Sequence, residues 1–213
     1  MKNSMHTAID YVTKIIGYGI SPIFNYRNKI RISIFFDKIH TYANAKYFNI
    51  LGNGVRISRS CTFVNPEFVS IGFESSIGPH STISVWNIKN SHVFKPCIKI
   101  GTNTSIGSEC HLTAINSITI GNGVLIGKKN TITDNSHGEI DKQNLFIPPA
   151  QRKLVSKGPI IIEDNVWIGD KVSILAGSRI GYGAIIGANS VVNGYIPPMC
   201  VAAGIPAKVV KML

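Results

Sequence analysis

The chain is poor in charge and poorer still in acid. Only 15% of its 213 residues are charged, and 11 Asp and Glu stand against 22 Lys and Arg. With 44% apolar residues the composition still lies in the globular range, which excludes wholesale disorder. The four cysteines, Cys61, Cys97, Cys110 and Cys200, include no CxxC pair. Neither a zinc ribbon nor a disulfide framework is indicated, and a reducing cytosol suits such a chain. No run approaches the roughly 18 to 20 apolar residues that span a bilayer. The apolar N-terminal stretch is broken by Asp10 and has no A-x-A-like cleavage site, which argues against a secretory signal. Residues 1–50 hold no Gly-rich nucleotide fingerprint, and no RNA- or DNA-binding motif accompanies the basic charge, so no nucleic-acid partner is expected.

What is present is a period. From Ile162 an aliphatic residue returns at every sixth position through Ile168, Ile174, Ile180, Ile186 and Val192. Neither the 3.6-residue period of a helix nor the two-residue period of a strand gives this spacing. The same step runs through Ile71, Ile77 and Ile83, then Ile100, Ile106 and Leu112, then Ile120, Ile126 and Ile132, with Ile57 and Phe63 as a ragged first coil. Glycine follows directly at Gly72, Gly78, Gly101, Gly107, Gly121, Gly127, Gly169, Gly181 and Gly187, where the backbone is expected to turn. Three short strands per coil of about 18 residues make an all-β solenoid of triangular section, because a single coil cannot bury its aliphatic face and stacked coils can. Handedness does not follow from the spacing, since parallel crossovers are right-handed in about 98% of cases.

The chain divides accordingly into an N-terminal helical or irregular basic region (1–50), a β-helix domain (51–196) and a C-terminal capping tail (197–213). Residues 88–99 form a short insertion, 113–119 carry two surplus residues, and 134–159 make a long polar loop of the kind that is usually functional or disordered. Ser4 is placed to cap a helix with Met5, Ala8, Ile9, Val12 and Ile16 on one face, ended by Gly17, Gly19 and Pro22. Ile30, Ile32 and Ile34 alternate, so 29–36 reads as a strand, with a second helix as the alternative. The tail, with Pro197, Pro198 and Pro206, is expected to be loop. In residues 1–60 nine Lys and Arg face two Asp. This surplus is either a solvated or subunit-facing surface, or a peripheral contact with an anionic membrane.

The stretch from Ile160 to Lys211, with its NVWIG turn, IGANSVV coil, IPP turn and AAGIPAKVV tail, strongly resembles hexapeptide-repeat acetyltransferases. The likeness is to galactoside and maltose acetyltransferases and, through the D-x-x-H-G and P-P-A-Q-R loop, to O-acetyltransferases of bacterial surface polysaccharides. The resemblance covers about residues 57–211. It implies a left-handed parallel β-helix, a homotrimer with intersubunit active sites, acetyl-CoA as co-substrate, a carbohydrate acceptor and no metal. The expected location is the cytoplasm, or the inner face of the membrane.

O-acetylation needs a base for a hydroxyl proton, and histidine, with an ordinary pKa of about 6.5, is the side chain suited to accept that proton and return it. His137, at the start of the long loop, aligns with the family's catalytic histidine. Asp134 stands where it either orients the imidazole, as in a triad, or caps the turn into the loop; Glu139 is a second candidate for orientation. Galactoside-type relatives use an asparagine one coil earlier for the oxyanion, where this chain has Gly107. Backbone N–H groups near Gly107 or Gly169, or the side chain of Asn116, are the substitutes to test. For acetyl-CoA the resemblance implies Trp167, Gly169, Asp170 (in place of a common Ser), Ala188, Ser190, Lys208 and Lys211, while Asn193 stands where relatives have Thr. Competing readings are an N-acetyltransferase on an amino-sugar nucleotide, a γ-type carbonic anhydrase using His80, His92, His111 or His137 on a metal, and a non-catalytic scaffold.

Overall fold

The computed structural model describes residues 2–22, 25–89, 92–139, 141–142 and 144–213, without the side chains of residues 2–5, 8 and 89. The hexads become strands of two to four residues that visit three parallel sheets in rotation. Sheet 1 contains strands 50–51, 69–71, 97–100, 117–120, 160–162, 179–180 and 195–196. Sheet 2 contains 56–57, 76–77, 105–106, 125–126, 167–168, 185–186 and the tail, and sheet 3 contains 62–64, 82–85, 111–114, 131–133, 173–175 and 191–192. Register stacks like on like: Ile71, Ile100, Ile120, Ile162, Ile180 and Ile196 form one inward column. Ile77, Ile106, Ile126, Ile168 and Ile186 form a second, and Phe63, Ile83, Leu112, Ile132, Ile174 and Val192 a third. The isoleucines of these columns are buried, each contributing roughly 1.5 to 3 kcal/mol relative to exposure.

The glycines after the hexad residues serve a different end from the one expected. None of the nine has a positive φ; left-handed backbone falls instead at Asn103, Asn165 and Asn189 and at Gly123 and Gly183. The nine sit where coil meets coil. A Cβ on Gly78 would lie 2.7 Å from the carbonyl carbon of Gly107, and one on Gly72 2.6 Å from that of Gly101. Asp and Asn side chains bridge the same corners: Asp164 Oδ1 accepts from the Asn122 N–H and Asp170 Oδ1 from that of Lys128, both at 2.7 Å.

Both ends depart from expectation. Helix α1 (Lys2–Ile20) starts ahead of Ser4 and runs through Gly17 and Gly19, so Ser4 is not its N-cap; the side chains of Ser4, Met5 and Ala8 lie outside the described residues. Residues 29–36 belong to helix α2 (Tyr26–Ala43), not to a strand. Asn25 caps it by accepting from the Asn28 N–H. Asp37 and Thr41, one turn apart, dock it on the first coil: Asp37 Oδ1 accepts from Arg59, and Thr41 Oγ1 accepts from the Ile57 N–H. The C-terminal residues are not loop but an antiparallel hairpin of Cys200–Gly204 and Ala207–Met212 on the edge of sheet 2. Pro197, Pro198 and Pro206 stand outside the paired positions, where their missing N–H groups cost no ladder bond.

Both insertions leave the same corner, from sheet 3 to sheet 1. The first is a short hairpin pairing Ile88–Lys89 with His92–Val93, and the coil resumes at Cys97, inside the 88–99 span expected to be insertion. The second is the long loop, which pairs Ser136–His137 with Leu154–Val155 and rejoins sheet 1 at Ile160.

Candidate active site

His137 sits at the root of the long loop, exposed, on a two-residue strand held by Leu154. Its Nδ1 lies 3.1 Å from the carbonyl oxygen of Pro149. A carbonyl only accepts, so Nδ1 is the donor in this contact, and the proton-accepting role of a general base falls to Nε2. The P-P-A-Q-R motif thus supports the imidazole through its backbone.

Asp134 neither meets the imidazole by a hydrogen bond nor caps the turn into the loop; it reaches back to the preceding coil. Its side chain is fully buried, and its two oxygens accept from the N–H groups of Ile115 and Asn116, each at 2.9 Å. It fastens the surplus residues of the preceding coil and makes no contact with the imidazole. Burial raises its pKa above the usual 3.8, against the lowering effect of those N–H groups. Glu139 lines the cleft beside His137.

Two clefts meet at His137, with Thr133, Asn135 and His137 lining both. The larger, of about 740 Å³, is lined by residues of the loop with Leu175 and Asn193 and carries Lys142, Arg152 and Lys157 together with Glu139 and Asp141. The smaller, of about 350 Å³, runs the other way over sheet 3. Asn135 was missed in the sequence; only its place beside Asp134 and His137 could have flagged it. Its amide donates to the Thr113 carbonyl at 3.2 Å.

The expected oxyanion donors are engaged elsewhere. The N–H of Gly107 donates to the Ile126 carbonyl and that of Gly169 to the Ile186 carbonyl, each at 2.8 Å within the coil ladder; Asn116, whose side chain was the third candidate, lines neither cleft. Asn135 and Asn193 are the side-chain amides that line the larger cleft.

None of the residues expected at acetyl-CoA lines either cleft. Trp167 projects from sheet 2, half exposed at 52%. Lys208 and Lys211 follow on the outer strand of the tail hairpin. Ala188 packs against Gly169, and Asp170 is bonded to the Lys128 N–H. Ser190 is withdrawn from any ligand: it is buried, donating to the Gly187 carbonyl at 2.7 Å and accepting from the Gly204 N–H at 3.1 Å. Its role is to pin the tail hairpin to the last coil. Within one chain, the face carrying Trp167 and the lysines lies across the core from the corner carrying His137.

Residues 159–194 match the family model of the bacterial transferase hexapeptide (six repeats), so this part of the chain is a hexapeptide repeat and the resemblance read from the sequence is borne out. The chain is 42% identical over 113 residues to the putative lipopolysaccharide biosynthesis O-acetyl transferase WbbJ of Escherichia coli K12, covering 51% of this chain and 57% of that protein. It is 36% identical over 122 residues to the galactoside O-acetyltransferase of the same organism, covering 52% and 55%. The chain therefore spans little more than half the length of these relatives. Among solved structures, an N-acyltransferase from Bacillus cereus, AntD, in complex with an amino-dideoxyglucose nucleotide and coenzyme A, superposes with a TM-score of 0.66 at 20% identity, over 81% of this chain and 88% of that one. The hexapeptide-repeat containing acetyltransferase VCA0836 of Vibrio cholerae superposes with a TM-score of 0.53 at 27% identity, over 88% and 87%.

Proposed function

We propose that the chain is an acetyl-CoA-dependent O-acetyltransferase acting on a sugar hydroxyl of a surface polysaccharide or its precursor, with His137 as general base. The observation that carries this reading is the Nδ1–H of His137 held by the Pro149 carbonyl, which leaves Nε2 free to act at the meeting point of two clefts. Nε2 takes the hydroxyl proton as the oxygen attacks the thioester carbon. The tetrahedral intermediate collapses with cleavage of the C–S bond, and the imidazolium returns its proton to the departing thiolate. Similarity to two named O-acetyltransferases supports oxygen rather than nitrogen as the acceptor atom. The N-acyltransferase likeness, at 20% identity, speaks to fold.

The working unit is a trimer of left-handed β-helices. The separation of His137 from Trp167, Lys208 and Lys211 around one chain supports this, because a neighbour's sheet 2 set against the loop completes the site. The outward face of α2 presents Ile32, Phe35 and Ile39, all exposed, with Arg31 and Lys38 on the same helix, and α1 exposes Ile9, Val12 and Ile16. Apolar stripes flanked by basic residues suit the surface of an anionic bilayer, which supports a location at the inner face of the membrane beside a lipid-borne acceptor.

The test is thiol release from acetyl-CoA across a panel of sugar acceptors, with mass spectrometry of the products. An ester-linked acetyl group is expected on a sugar hydroxyl; amide products only, or no acceptor-dependent thiol release, would overturn the reading.

A further inference from the structure

The smaller cleft has a construction of its own. Its floor is the outer face of sheet 3, where Ser84, Thr113 and Thr133 stack in register on three successive coils, Ser84 buried and the two threonines partly exposed. Its two ends are the roots of the two insertions. Trp86 stands half-buried where the first leaves the coil, its backbone N–H donating to the Ala114 carbonyl at 2.8 Å, and His137 with the buried Leu154 stands where the second leaves. Trp86 and His137 leave the same corner from strands two coils apart, about 10 Å at the spacing of stacked strands. His111 lines the side of the cleft between them.

We infer that this cleft is the acceptor subsite and that it takes a single neutral hexose ring, seated on the hydroxyl ladder of sheet 3 with one face on the Trp86 indole. The inference rests on the O-acetyltransferase reading for its reaction, but not for its geometry. At about 350 Å³ the cleft lies at the small end of ligand sites, which suits one ring rather than an extended chain. Its lining combines hydroxyls with one large aromatic face, the combination that matches a sugar's hydroxyl rim and C–H face; Thr133 Oγ1 donates to the Asn135 carbonyl at 3.1 Å and so offers a ligand an acceptor, whereas Thr113 Oγ1, which accepts from the Asn135 amide at 3.5 Å, has its proton to donate. It contains no Lys, Arg, Asp or Glu among the described residues, whereas the larger cleft holds Lys142, Arg152 and Lys157 against Glu139 and Asp141, a surplus of one cation. Charge therefore divides the two substrates: the phosphorylated donor reaches His137 from the larger cleft and the uncharged acceptor from the smaller. This gives a role to the first insertion, whose root positions Trp86.

The chain has two tryptophans, so in a Trp167→Phe variant the fluorescence reports on Trp86 alone. Titration of the intact variant with methyl glucoside, galactoside and mannoside should give a saturable change with at least one of them. Methyl glucuronide should bind at least tenfold more weakly. No response to any neutral hexoside, or a preference for the glucuronide, overturns the inference. In parallel, Trp86→Ala in the otherwise native chain should raise the acceptor KM at least tenfold while the acetyl-CoA KM stays within twofold; an unchanged acceptor KM also overturns it. The two readings fail separately. Saturable Trp86 binding without acetyl transfer would keep the subsite and sink the reaction, whereas transfer indifferent to Trp86 would do the reverse.

Discussion

Removing the Asp134 carboxylate distinguishes a structural anchor from a member of a catalytic triad. In Asp134→Ala the N–H groups of Ile115 and Asn116 both lose their acceptor, and Ile115 is buried. At about 1–3 kcal/mol for each unsatisfied donor, the loss is about 2–6 kcal/mol, reduced by relief of the carboxylate's own desolvation. The Tm should fall by on the order of 5–15 °C. The pH dependence has a definite sign. Because the folded-state pKa of Asp134 is raised, its contribution is fully present below the ordinary carboxylate value and is lost as pH rises through the raised one. The deficit of the Ala variant, followed by urea unfolding across that window, should therefore narrow as pH rises. Turnover is the second readout: in Asp134→Asn, kcat should stay within about tenfold of wild type, whereas an amide in place of a triad carboxylate costs about 10⁴. A 10⁴-fold loss of kcat at unchanged stability would refute the anchor role.

Gly78→Ala should destabilise the fold by about 1–3 kcal/mol or more, read by thermal unfolding, because the new Cβ meets backbone of the next coil at 2.7 Å with nothing flexible to yield. Reversing charge at Lys208 and Lys211 together should raise the KM for acetyl-CoA with little change in kcat; an unchanged KM removes the tail from the donor site. Replacing Arg31 and Lys38 with Glu should abolish co-sedimentation with vesicles containing anionic lipid, and binding that survives would leave the outward face of α2 to another partner.

The coil was legible because one inward aliphatic every six residues is a long-range signal repeated many times, and each residue from Ile162 to Val192 falls in the column expected for it. Where the signal is short, local sequence was ambiguous. Three alternating isoleucines at 30, 32 and 34 fit a strand or a helix. What settled α2 was tertiary: the Asp37 and Thr41 contacts to residues 57 and 59, which no local window contains. The tail prolines excluded a helix but said nothing of a hairpin that pairs around them. At the site, His137 was found through its motif. Its support was not, because a backbone carbonyl carries no side-chain signature, and the carboxylate three residues earlier was the more obvious partner. Ser190 misled for the opposite reason: a small polar residue on a coil reads the same whether its hydroxyl faces a ligand or, as here, a hairpin N–H. The gap between His137 and Trp167 depends on which sheet each strand joins, and that follows only once the coils are counted around the core.

The most direct measurement is steady-state acetyl transfer by His137→Ala, with coenzyme A affinity measured on the same preparation. The account predicts kcat lower by about 10² to 10⁴ with the coenzyme A dissociation constant unchanged. Wild-type turnover in that variant would contradict it.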